Sequence, residues 1–499
     1  MIPIIGLGLA LFLLGLLARI VIFRAAAPSA VDQHYWMLAA RAYREQRGLP
    51  VRILDKYLLE DETQAYPPFF GWFLGRISSP TVLKFVPAAV ETAVVLLLWV
   101  TLHALGVRWD LIMLALACYV SAPVLVVYNS QLTPRVFGDF LLLSAMVLQL
   151  YAVVLVTAPW LAWVCWLASA CLLGMMVMTH KMSFQLHVVL MPVWAWSLSA
   201  WQVPVATLAG LVFFVAIVGS EFSRYQFRAH WEIVRFWGRH WRNLGAHQFN
   251  LSPVYGDPDG DRSSCFHAPG WRGALKHLRV VVSYAPINVL LPVCSLVIDT
   301  WPPIWMLVWL GTIYLWAFAT LYVPVLKSFG GGHLYVFNAA APGAIYLSYL
   351  PADPVVFVVV AVGGVLTVIS LAMAWRVVVT RPTARQEDFA TAIAHLSKLP
   401  ASRVAVFPLQ AAEAVAADTR HAVLWGGHGY GFTRMEGFFP VLTRPLGELF
   451  CEHQIEWVLW DTRYWPSGQE TLAKEGLVCA VDTEPFGAWR LSGVRLQSG

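Results

Sequence analysis

Long apolar stretches recur along the first three quarters of the sequence, and they constrain the fold more than any other feature. A helix needs roughly 20 residues to cross a hydrocarbon core about 30 Å thick. Lipid offers no water to backbone polar groups, so such stretches must be helices with internal hydrogen bonds. The predicted spans lie near residues 2–23, 83–105, 110–128, 136–157, 160–178, 184–200, 203–220, 281–299, 302–325, 335–350 and 355–376. The sequence therefore predicts a polytopic α-helical membrane protein with about eleven transmembrane helices.

The composition supports this prediction. Of the 499 residues, 59% are hydrophobic and only 13% are charged, whereas soluble domains carry about 25% charged residues. The first span has no cationic residue before it and is too long for a signal-peptide core, so we interpret it as an anchor. A soluble globular protein is excluded.

Three segments lie outside the predicted spans. Residues 1–376 form the predicted membrane domain, with long loops at 24–82 and 221–280. Residues 382–499, which begin within the linker "TRPTARQ", form a small domain of sufficient length for its own core. Its short apolar runs "RVAVFP", "AVLWGG", "IEWVLWD" and "GLVCAV" alternate with the helix-like stretches "QEDFATAIAHLSKL" and "SGQETLAKEG". This alternation predicts a soluble α/β domain.

The stretch "AVDQHYWMLAARAYREQRGLP", residues 30–50, follows directly on the first span. A carboxylate beside a bilayer is costly to desolvate, so Asp32 among aromatic residues is a candidate functional residue. The alternative is that Asp32 caps the helix that follows, since aspartate is a favoured N-cap residue. The local sequence by itself favours a helix-capping role for Asp32.

The wider order of motifs changes this interpretation. After Asp32 come a polar loop, "YPPFFG" at 66–71 and a second apolar helix. Further matching stretches lie at 119–153, 172–196 and 326–347. This arrangement resembles the GT-C glycosyltransferases, polytopic enzymes that use polyprenyl-phosphate-linked sugars, and within them the protein O-mannosyltransferases and the aminoarabinose transferases of lipid A. The resemblance implies that Asp32 is the catalytic carboxylate.

The chain departs from that pattern in its acidic residues. Many relatives have Asp-Glu where this chain has Asp32-Gln33, and "NSQLTPR" lacks the second carboxylate often found in the next extracytoplasmic loop. The alternatives for that second carboxylate are Asp139, inside a predicted span, and Glu60, Asp61 and Glu62 in the first loop. A divalent metal, Mg²⁺ or Mn²⁺, is therefore left open as a cofactor.

The resemblance implies a sugar donor with an anionic leaving group. Asp32 would act as general base on the acceptor, and a single attack from the opposite face would invert the anomeric carbon. Cations would neutralise the donor phosphate at low local dielectric. The candidates at predicted span boundaries are Arg135, His180, Lys181, Lys327 and His333. The alternative for the lysines and the arginine is snorkelling towards lipid headgroups.

Four further residues are assigned to the substrate cavity: His34, Tyr35, Tyr66 and Tyr335. For Tyr66 a structural role competes with this assignment, because the two prolines after it end the loop and start the next helix.

The second loop interleaves aromatic and basic residues between positions 221 and 249. Such composition also occurs in nucleic-acid binders, but beside a membrane span it favours an interfacial amphipathic helix that contacts lipid headgroups. The following "DPDGDR", residues 257–262, imitates the start of a calcium loop without its terminal glutamate and is interpreted as a turn.

The seven cysteines show no zinc spacing. Cys451 and Cys479 could pair in an oxidising compartment, but nothing in the sequence requires it. The absence of a phosphate loop, a dinucleotide fingerprint and a G-x-S-x-G motif argues against a nucleotide-driven pump or a serine hydrolase.

The resemblance to the GT-C enzymes implies that the first loop is extracytoplasmic. With eleven spans, the loops 24–82 and 221–280 and the C-terminal domain then lie on the periplasmic side of a bacterial inner membrane. Arg135, Lys181, Lys327 and Arg376 then lie outside and Arg108 inside, contrary to the positive-inside tendency. An anionic lipid-phosphate donor accounts for cations on the active side.

We therefore expect a glycosyltransferase whose partners are a polyprenyl-phosphate sugar, membrane lipids and an acceptor of unassigned class (glycan, lipid or protein), with no nucleic acid. The alternatives are a flippase of lipid-linked sugars, for which repeated halves are typical but absent here, and a polysaccharide polymerase or ligase.

Overall fold

The chain folds into two compact units. The computed structural model describes residues 2–26, 31–46, 56–58, 66–240, 270–351, 353–379, 383–426, 433–434, 436–437, 439, 443–478 and 483–495. The first unit, here called the helical unit, comprises Met1–Ala27, Ser79–Ser223 and Ala274–Val379. The second, here called the α/β unit, comprises Pro28–Ser78, Arg224–Gly273 and Thr380–Gly499. Both long loops are thus grouped with the C-terminal segment.

Helices dominate both units. In chain order the α-helices are α1 (Ile2–Ala26), α2 (Val31–Glu45), α3 (Pro68–Gly75), α4 (Pro80–Ala104), α5 (Trp109–Ser121), α6 (Pro123–Tyr128), α7 (Arg135–Leu150), α8 (Pro159–Val177), α9 (Lys181–Leu198), α10 (Gln202–Val218), α11 (Ser220–Arg239), α12 (Gly270–Tyr284), α13 (Pro286–Ile298), α14 (Ile304–Tyr322), α15 (Ala340–Ser348), α16 (Pro354–Val379), α17 (Thr383–Leu396), α18 (Ala412–Asp418), α19 (Leu446–Glu452) and α20 (Gly468–Lys474). Two 3₁₀ segments, Pro324–Phe329 and Gly332–Ala339, connect α14 to α15.

The predicted class, a polytopic helical membrane protein, is confirmed, although fewer helices are long enough to span a bilayer alone. Among the described residues six helices are long and apolar enough to cross a membrane, or up to eight if two bent pairs each count as one span. The predicted span 110–128 is divided into α5 and α6, because Ala122 has an extended ψ of 120° and Pro123 follows it. The predicted span 335–350 begins as 3₁₀ helix and continues as α15.

Short connections reverse the chain between most of the long apolar helices of the helical unit. We call the end at which α1 finishes the proximal end. There α1 and α4 meet through the rings of Phe23 and Phe85, whose centroids are 5.3 Å apart. The helices α7, α9 and α15 begin at this end, whereas α5, α8, α10, α14 and α16 finish there. Residues at these termini are therefore neighbours in space although they are far apart in the sequence.

Polar side chains link three helices inside the helical unit. Gln149 on α7 donates from Nε2 to Ser169 Oγ on α8 at 2.9 Å, and its Oε1 accepts a hydrogen bond from Trp194 Nε1 on α9 at 2.9 Å. All three residues are buried. Since apolar side chains gain little from packing against each other rather than against lipid, such hydrogen bonds help to fix which helices are neighbours.

Replacing Gln149 by leucine should weaken this arrangement. Gln149→Leu leaves the Trp194 N–H buried without an acceptor, and we expect a loss of about 1 kcal/mol in unfolding free energy. The measurement is the unfolding midpoint of purified protein in detergent. Gln202→Leu is the matched control, because Gln202 begins α10 and is only partly buried. Equal midpoints for Gln149→Leu and wild type would contradict the assigned role.

The α/β unit contains one mixed sheet. Its strands are β1 (Arg403–Phe407), β2 (Ala422–Val423), β3 (Trp457–Asp461), β4 (Thr483–Phe486) and β5 (Trp489–Gly493), in the spatial order β2-β1-β3-β5-β4. β1 pairs in parallel with β2 and β3, and β5 pairs antiparallel with β3 and β4. The predicted α/β class is confirmed. The sequence predicts a strand at "GLVCAV", residues 476–481. Residues 476–478 do not form a strand, and residues 479–481 lie outside the described part of the chain.

The first loop joins the edge of this sheet. Tyr57 forms a parallel bridge with Val423, and Lys56 Nζ donates to the Thr419 carbonyl oxygen at 2.9 Å. The Tyr57 hydroxyl also donates to the buried carboxylate of Glu413. The loop segment is therefore a structural part of the α/β unit.

The C-terminal end of helix α11 also packs on the α/β unit. Phe236 stacks on Phe439 with ring centroids 6.1 Å apart. Glu436 accepts hydrogen bonds from Arg239 at 3.1 and 3.2 Å and lies 2.7 Å from His240 Nε2. Partial burial raises the pKa of Glu436, but the hydrogen bonds and charges of His240 and Arg239 outweigh it and lower the pKa below its usual value. The acid is therefore held ionised at neutral pH.

Candidate functional site

The first turns of α7 and α9 touch at the proximal end. A Cβ added to Gly138 would lie 2.5 Å from the Cβ of His180 and 2.7 Å from Ser183 Oγ. Only glycine fits there, so the two helix termini approach closely. His180 itself is buried and caps α9, since its Nδ1 accepts from the Ser183 backbone N–H at 3.3 Å. Because Gly138 lies three residues after Arg135 on α7, this contact places His180 about one helical turn from Arg135.

The second side of the site is formed by α9 and the 3₁₀ segments. A Cβ added to Gly330 would lie 3.5 Å from Met182 Cε. The Tyr335 hydroxyl lies 2.7 Å from Gln185 Oε1 and 3.1 Å from the Phe329 carbonyl oxygen. The Gly330–Tyr335 stretch is therefore packed against the first turns of α9.

A chain of aromatic residues closes the ring back to α7. The His333 ring lies 5.6 Å from the ring of Tyr284, the last residue of α12. The hydroxyls of Tyr284 and Tyr128 are 3.0 Å apart. The Arg135 guanidinium carbon lies 4.2 Å from the centre of the Tyr128 ring. Two of the predicted cationic residues, Arg135 and His333, are thus connected through two tyrosines.

Arg135 has unused hydrogen-bonding capacity. Its Nε and one terminal nitrogen are buried, and within the described residues neither has a hydrogen-bond partner. A guanidinium carries five N–H donors arranged to bind an oxyanion. Burying such a charge without a partner is unfavourable. The arrangement is suited to an anionic ligand that accepts from these two nitrogens.

The remaining predicted cations lie at the same end. Lys181 is the first residue of α9, beside the positive end of the helix dipole. Lys327 lies in the 3₁₀ segment Pro324–Phe329, two turns before His333. All five predicted phosphate-binding residues therefore belong to helix termini or short segments of the proximal end.

Sequence reasoning missed Tyr128 and Tyr284. Tyr128 ends the apolar helix α6, and Tyr284 ends the apolar last turn of α12. A tyrosine in such a position is commonly interpreted as part of the aromatic belt at the membrane interface. The signal available for Tyr128 was the polar "NSQ" directly after it. Tyr284 is followed by the helix break at Ala285 and Pro286, and that break was not used in the prediction.

A buried pair of carboxylates lies near the site. Asp139 is on α7 one turn after Arg135, is 3% exposed, and its Oδ2 has no hydrogen-bond partner within the described residues. Its charge interacts with that of Glu91. Glu91 is paired with Arg19 and accepts from Asn129 Nδ2 at 2.9 Å. The structure therefore adds Glu91 to the alternative carboxylate Asp139 considered from the sequence.

The predicted residues of the first loop belong to the α/β unit. Helix α2 begins at Val31, so Asp32 lies in its first turn rather than at the capping position before it. The side chain of Asp32 and residues Glu60, Asp61 and Glu62 lie outside the described part of the chain. Their roles therefore stay predictions.

The other predicted cavity residues of this loop pack within the unit. His34 Nδ1 is 3.7 Å from Asp418 Oδ2. Tyr35 is 1% exposed and lies 6.1 Å, ring to ring, from Tyr66. Tyr66 also lies 5.0 Å from Trp36. These contacts give Tyr35 and Tyr66 a packing function, and their contact with substrate stays a prediction.

The interpretation of "DPDGDR" as a turn and the option of a Cys451–Cys479 pair stay predictions, because both involve residues outside the described part of the chain. Among the residues that the structure describes, no group of three or more His, Cys, Asp or Glu could hold a metal ion. The calcium-like turn at 257–262 and Cys479 lie outside the described residues, and Cys451 is exposed.

An apolar cavity of about 310 Å³ lies between α12, α13 and α14. Its wall includes Val281 and Val282 of α12, Val289 of α13 and Phe318 of α14. Since Tyr284 ends α12, the cavity wall lies within one turn of the tyrosine that connects His333 to Tyr128. A polar, cationic end and an apolar cavity thus adjoin in the helical unit.

Comparison with known proteins identifies similar folds but no similar sequence. The sequence matches no protein-family model, and it matches no curated protein. ArnT from Cupriavidus metallidurans bound to undecaprenyl phosphate is similar with a TM-score of 0.57 and 13% identity, over 96% of this chain and 97% of ArnT. The archaeal oligosaccharyltransferase AglB from Archaeoglobus fulgidus, in complex with an inhibitory peptide and a dolichol-phosphate, is similar with a TM-score of 0.53 and 11% identity, over 98% of this chain and 74% of AglB. At these identities the comparison shows the fold.

Proposed function

Since the chain has the fold of the GT-C membrane glycosyltransferases, we propose that it transfers a sugar from a polyprenyl-phosphate donor to an acceptor on the extracytoplasmic face of the membrane. The observation that carries the proposal is the pair of buried Arg135 nitrogens that have no hydrogen-bond partner among the described residues, beside the tyrosines that connect Arg135 to His333. The structural neighbours with bound undecaprenyl phosphate or dolichol-phosphate support this class of donor.

Arg135 binds the donor phosphate in this proposal. The guanidinium donates to two phosphate oxygens, and the hydroxyls of Tyr128 and Tyr284 offer further hydrogen bonds. His333, His180, Lys181 and Lys327 supply additional positive charge or donors at the proximal end. Charge-assisted hydrogen bonds of this kind stabilise the phosphate most when its negative charge grows, as the sugar leaves.

The polyprenyl chain occupies apolar surface next to the phosphate. The cavity between α12 and α14 accepts isoprene units beside Tyr284, and burial of each methylene contributes about 0.8 kcal/mol. The donor is thus held by its phosphate at one end and by its hydrocarbon at the other.

Asp32 is the proposed general base. Its carboxylate accepts the proton of the acceptor hydroxyl or amide as the acceptor attacks the anomeric carbon. The bond from that carbon to the phosphate oxygen breaks on the opposite face, so the configuration inverts. Polyprenyl phosphate leaves as an anion and needs no proton.

The proposed transfer reaction does not require a divalent metal ion. If Asp32 and a second carboxylate hold Mg²⁺ or Mn²⁺, the ion supplies further positive charge to the leaving phosphate. If a chelator abolishes transfer and added Mg²⁺ or Mn²⁺ restores it, the reaction uses the metal ion. Unchanged transfer after chelation indicates a reaction without metal.

The experiment that tests the proposal follows sugar transfer in membranes that contain the overproduced chain. Polyprenyl-phosphate sugars and polyprenyl-diphosphate oligosaccharides, each labelled in the sugar, are supplied, and the native membrane provides the acceptor. We expect label to leave at least one polyprenyl-phosphate donor for a product that membranes without the chain do not form. Movement of intact donor between leaflets, with no transfer, would favour a flippase.

If the first loop lies on the extracytoplasmic face, a cysteine in this loop should be accessible to labelling from outside the cell. A single cysteine at Ser29, three residues before Asp32, in a background without the seven native cysteines, should react with a membrane-impermeant thiol reagent in intact cells whose outer membrane has been made permeable. Reaction only in inside-out vesicles would place the first loop in the cytoplasm and overturn the extracytoplasmic assignment.

A further inference from the structure

Helix α11 presents a stripe of arginine and aromatic side chains that the proposed transfer reaction does not use. Five exposed residues follow helical spacing: Arg224, Phe227, Arg228, Trp231 and Arg235. Residues three, four and seven apart share one face of a helix, so the five form one continuous stripe. Phe227 is 41% and Trp231 58% exposed.

The opposite face of the helix is already occupied. Ala229, Ile233 and Phe236 are buried, and Phe236 belongs to the hydrophobic core of the α/β unit. At the end of the helix Arg239 is paired with Glu436. The helix is therefore fixed on the unit by one face and presents the stripe on the other.

The arginines of the stripe are not neutralised within the described chain. Arg228 lies 5.8 Å from the ring of Tyr225, and no ion pair is formed by Arg224, Arg228 or Arg235 among the described residues. The acidic residues of the helix, Glu221 and Glu232, lie beside the stripe, and among the described residues neither forms an ion pair with Arg224, Arg228 or Arg235. The positive charge on this face is available to an external anion.

The position of the helix in the chain indicates where that anion is found. α11 follows directly on the apolar helix α10, after Gly219 with its φ of +83°. The start of α11 is thus covalently tied to the level at which a membrane-embedded helix ends. Tryptophan and phenylalanine between arginines are typical of helices that lie in the headgroup region.

We infer that the stripe Arg224–Phe227–Arg228–Trp231–Arg235 binds the headgroups of anionic phospholipids, with the two aromatic side chains in the boundary between headgroups and acyl chains. Each arginine near such a surface contributes roughly a fivefold factor in affinity before screening by salt. The inference is independent of the proposed transfer reaction.

The test measures lipid binding to the full-length chain. Purified, delipidated protein is titrated with phosphatidylglycerol or phosphatidylcholine, and bound lipid is counted by native mass spectrometry. We expect Arg224→Gln, Arg228→Gln and Arg235→Gln together to reduce the affinity for phosphatidylglycerol about tenfold and to leave phosphatidylcholine binding unchanged. The corresponding triple lysine variant should retain the preference, because it keeps the charge.

The matched control removes three exposed cations from other elements of the α/β unit: Lys398→Gln, Arg420→Gln and Lys474→Gln. It should bind both lipids as the wild type does. An unchanged phosphatidylglycerol affinity in the triple glutamine variant of α11, or an equal loss in the control, would overturn the inference. Complete displacement of phosphatidylglycerol by millimolar inorganic phosphate would also overturn it, by indicating a site for free anions.

Discussion

Asp32→Asn should reduce sugar transfer by about 10²- to 10⁴-fold while leaving donor binding intact. An amide cannot accept the acceptor proton, but it has nearly the same shape and can still form hydrogen bonds in the first turn of α2. The measurement is the initial rate of label transfer in membranes, together with the affinity of the purified variant for the donor. A loss in rate with unchanged affinity is the result expected for a general base.

Glu45→Gln is the matched control for this variant. It removes a carboxylate from the last turn of the same helix, where Glu45 is exposed, and should transfer at the wild-type rate. If Asp32→Asn transfers as fast as wild type, Asp32 is not the base, and the buried Asp139 becomes the next carboxylate to test.

Arg135→Gln should weaken binding of a polyprenyl phosphate about 10- to 100-fold. The substitution removes a charge and the two buried N–H groups that have no partner in the described residues. The glutamine amide can still donate one hydrogen bond, so the expected loss corresponds to one hydrogen bond to a charged group, about 1.5–3 kcal/mol. Arg135→Lys should recover only part of the affinity, because lysine cannot donate in a planar, bidentate manner. The measurement is donor affinity of purified protein by titration.

Arg108→Gln controls for the loss of a positive charge from the helical unit. Arg108 precedes α5, at the end opposite the site, and is paired with Asp110 at 2.7 Å. Its replacement should leave donor affinity unchanged. An equal loss from Arg108→Gln and Arg135→Gln would point to general charge or folding rather than to a phosphate contact.

The sequence was sufficient to predict the class of fold because apolar length is a local property. Runs such as those that became α4, α8 and α16 are recognisable without knowledge of their neighbours. The break of one predicted span at Pro123 depends on a single residue, and it was missed because the apolar composition continues across it. Element boundaries are therefore less predictable than element type.

The candidate site was predictable only in part. Arg135, His180 and His333 could be singled out because polar residues interrupt apolar runs. Their connection depends on Tyr128 and Tyr284, which are 156 positions apart in the chain, and no local pattern indicates that pairing. The bridge between Tyr57 and Val423 is likewise a contact between distant segments. Such pairings are properties of the packed chain.

The most direct test of phosphate recognition at the proposed site compares the binding of undecaprenyl phosphate with that of undecaprenol to the purified, full-length protein. The two lipids share their hydrocarbon and differ only in the phosphate. We expect undecaprenyl phosphate to bind at least about tenfold more tightly, since the phosphate gains charge-assisted hydrogen bonds, and we expect Arg135→Gln to remove most of this difference. Equal affinities for the two lipids in the wild-type protein would contradict the proposed donor class.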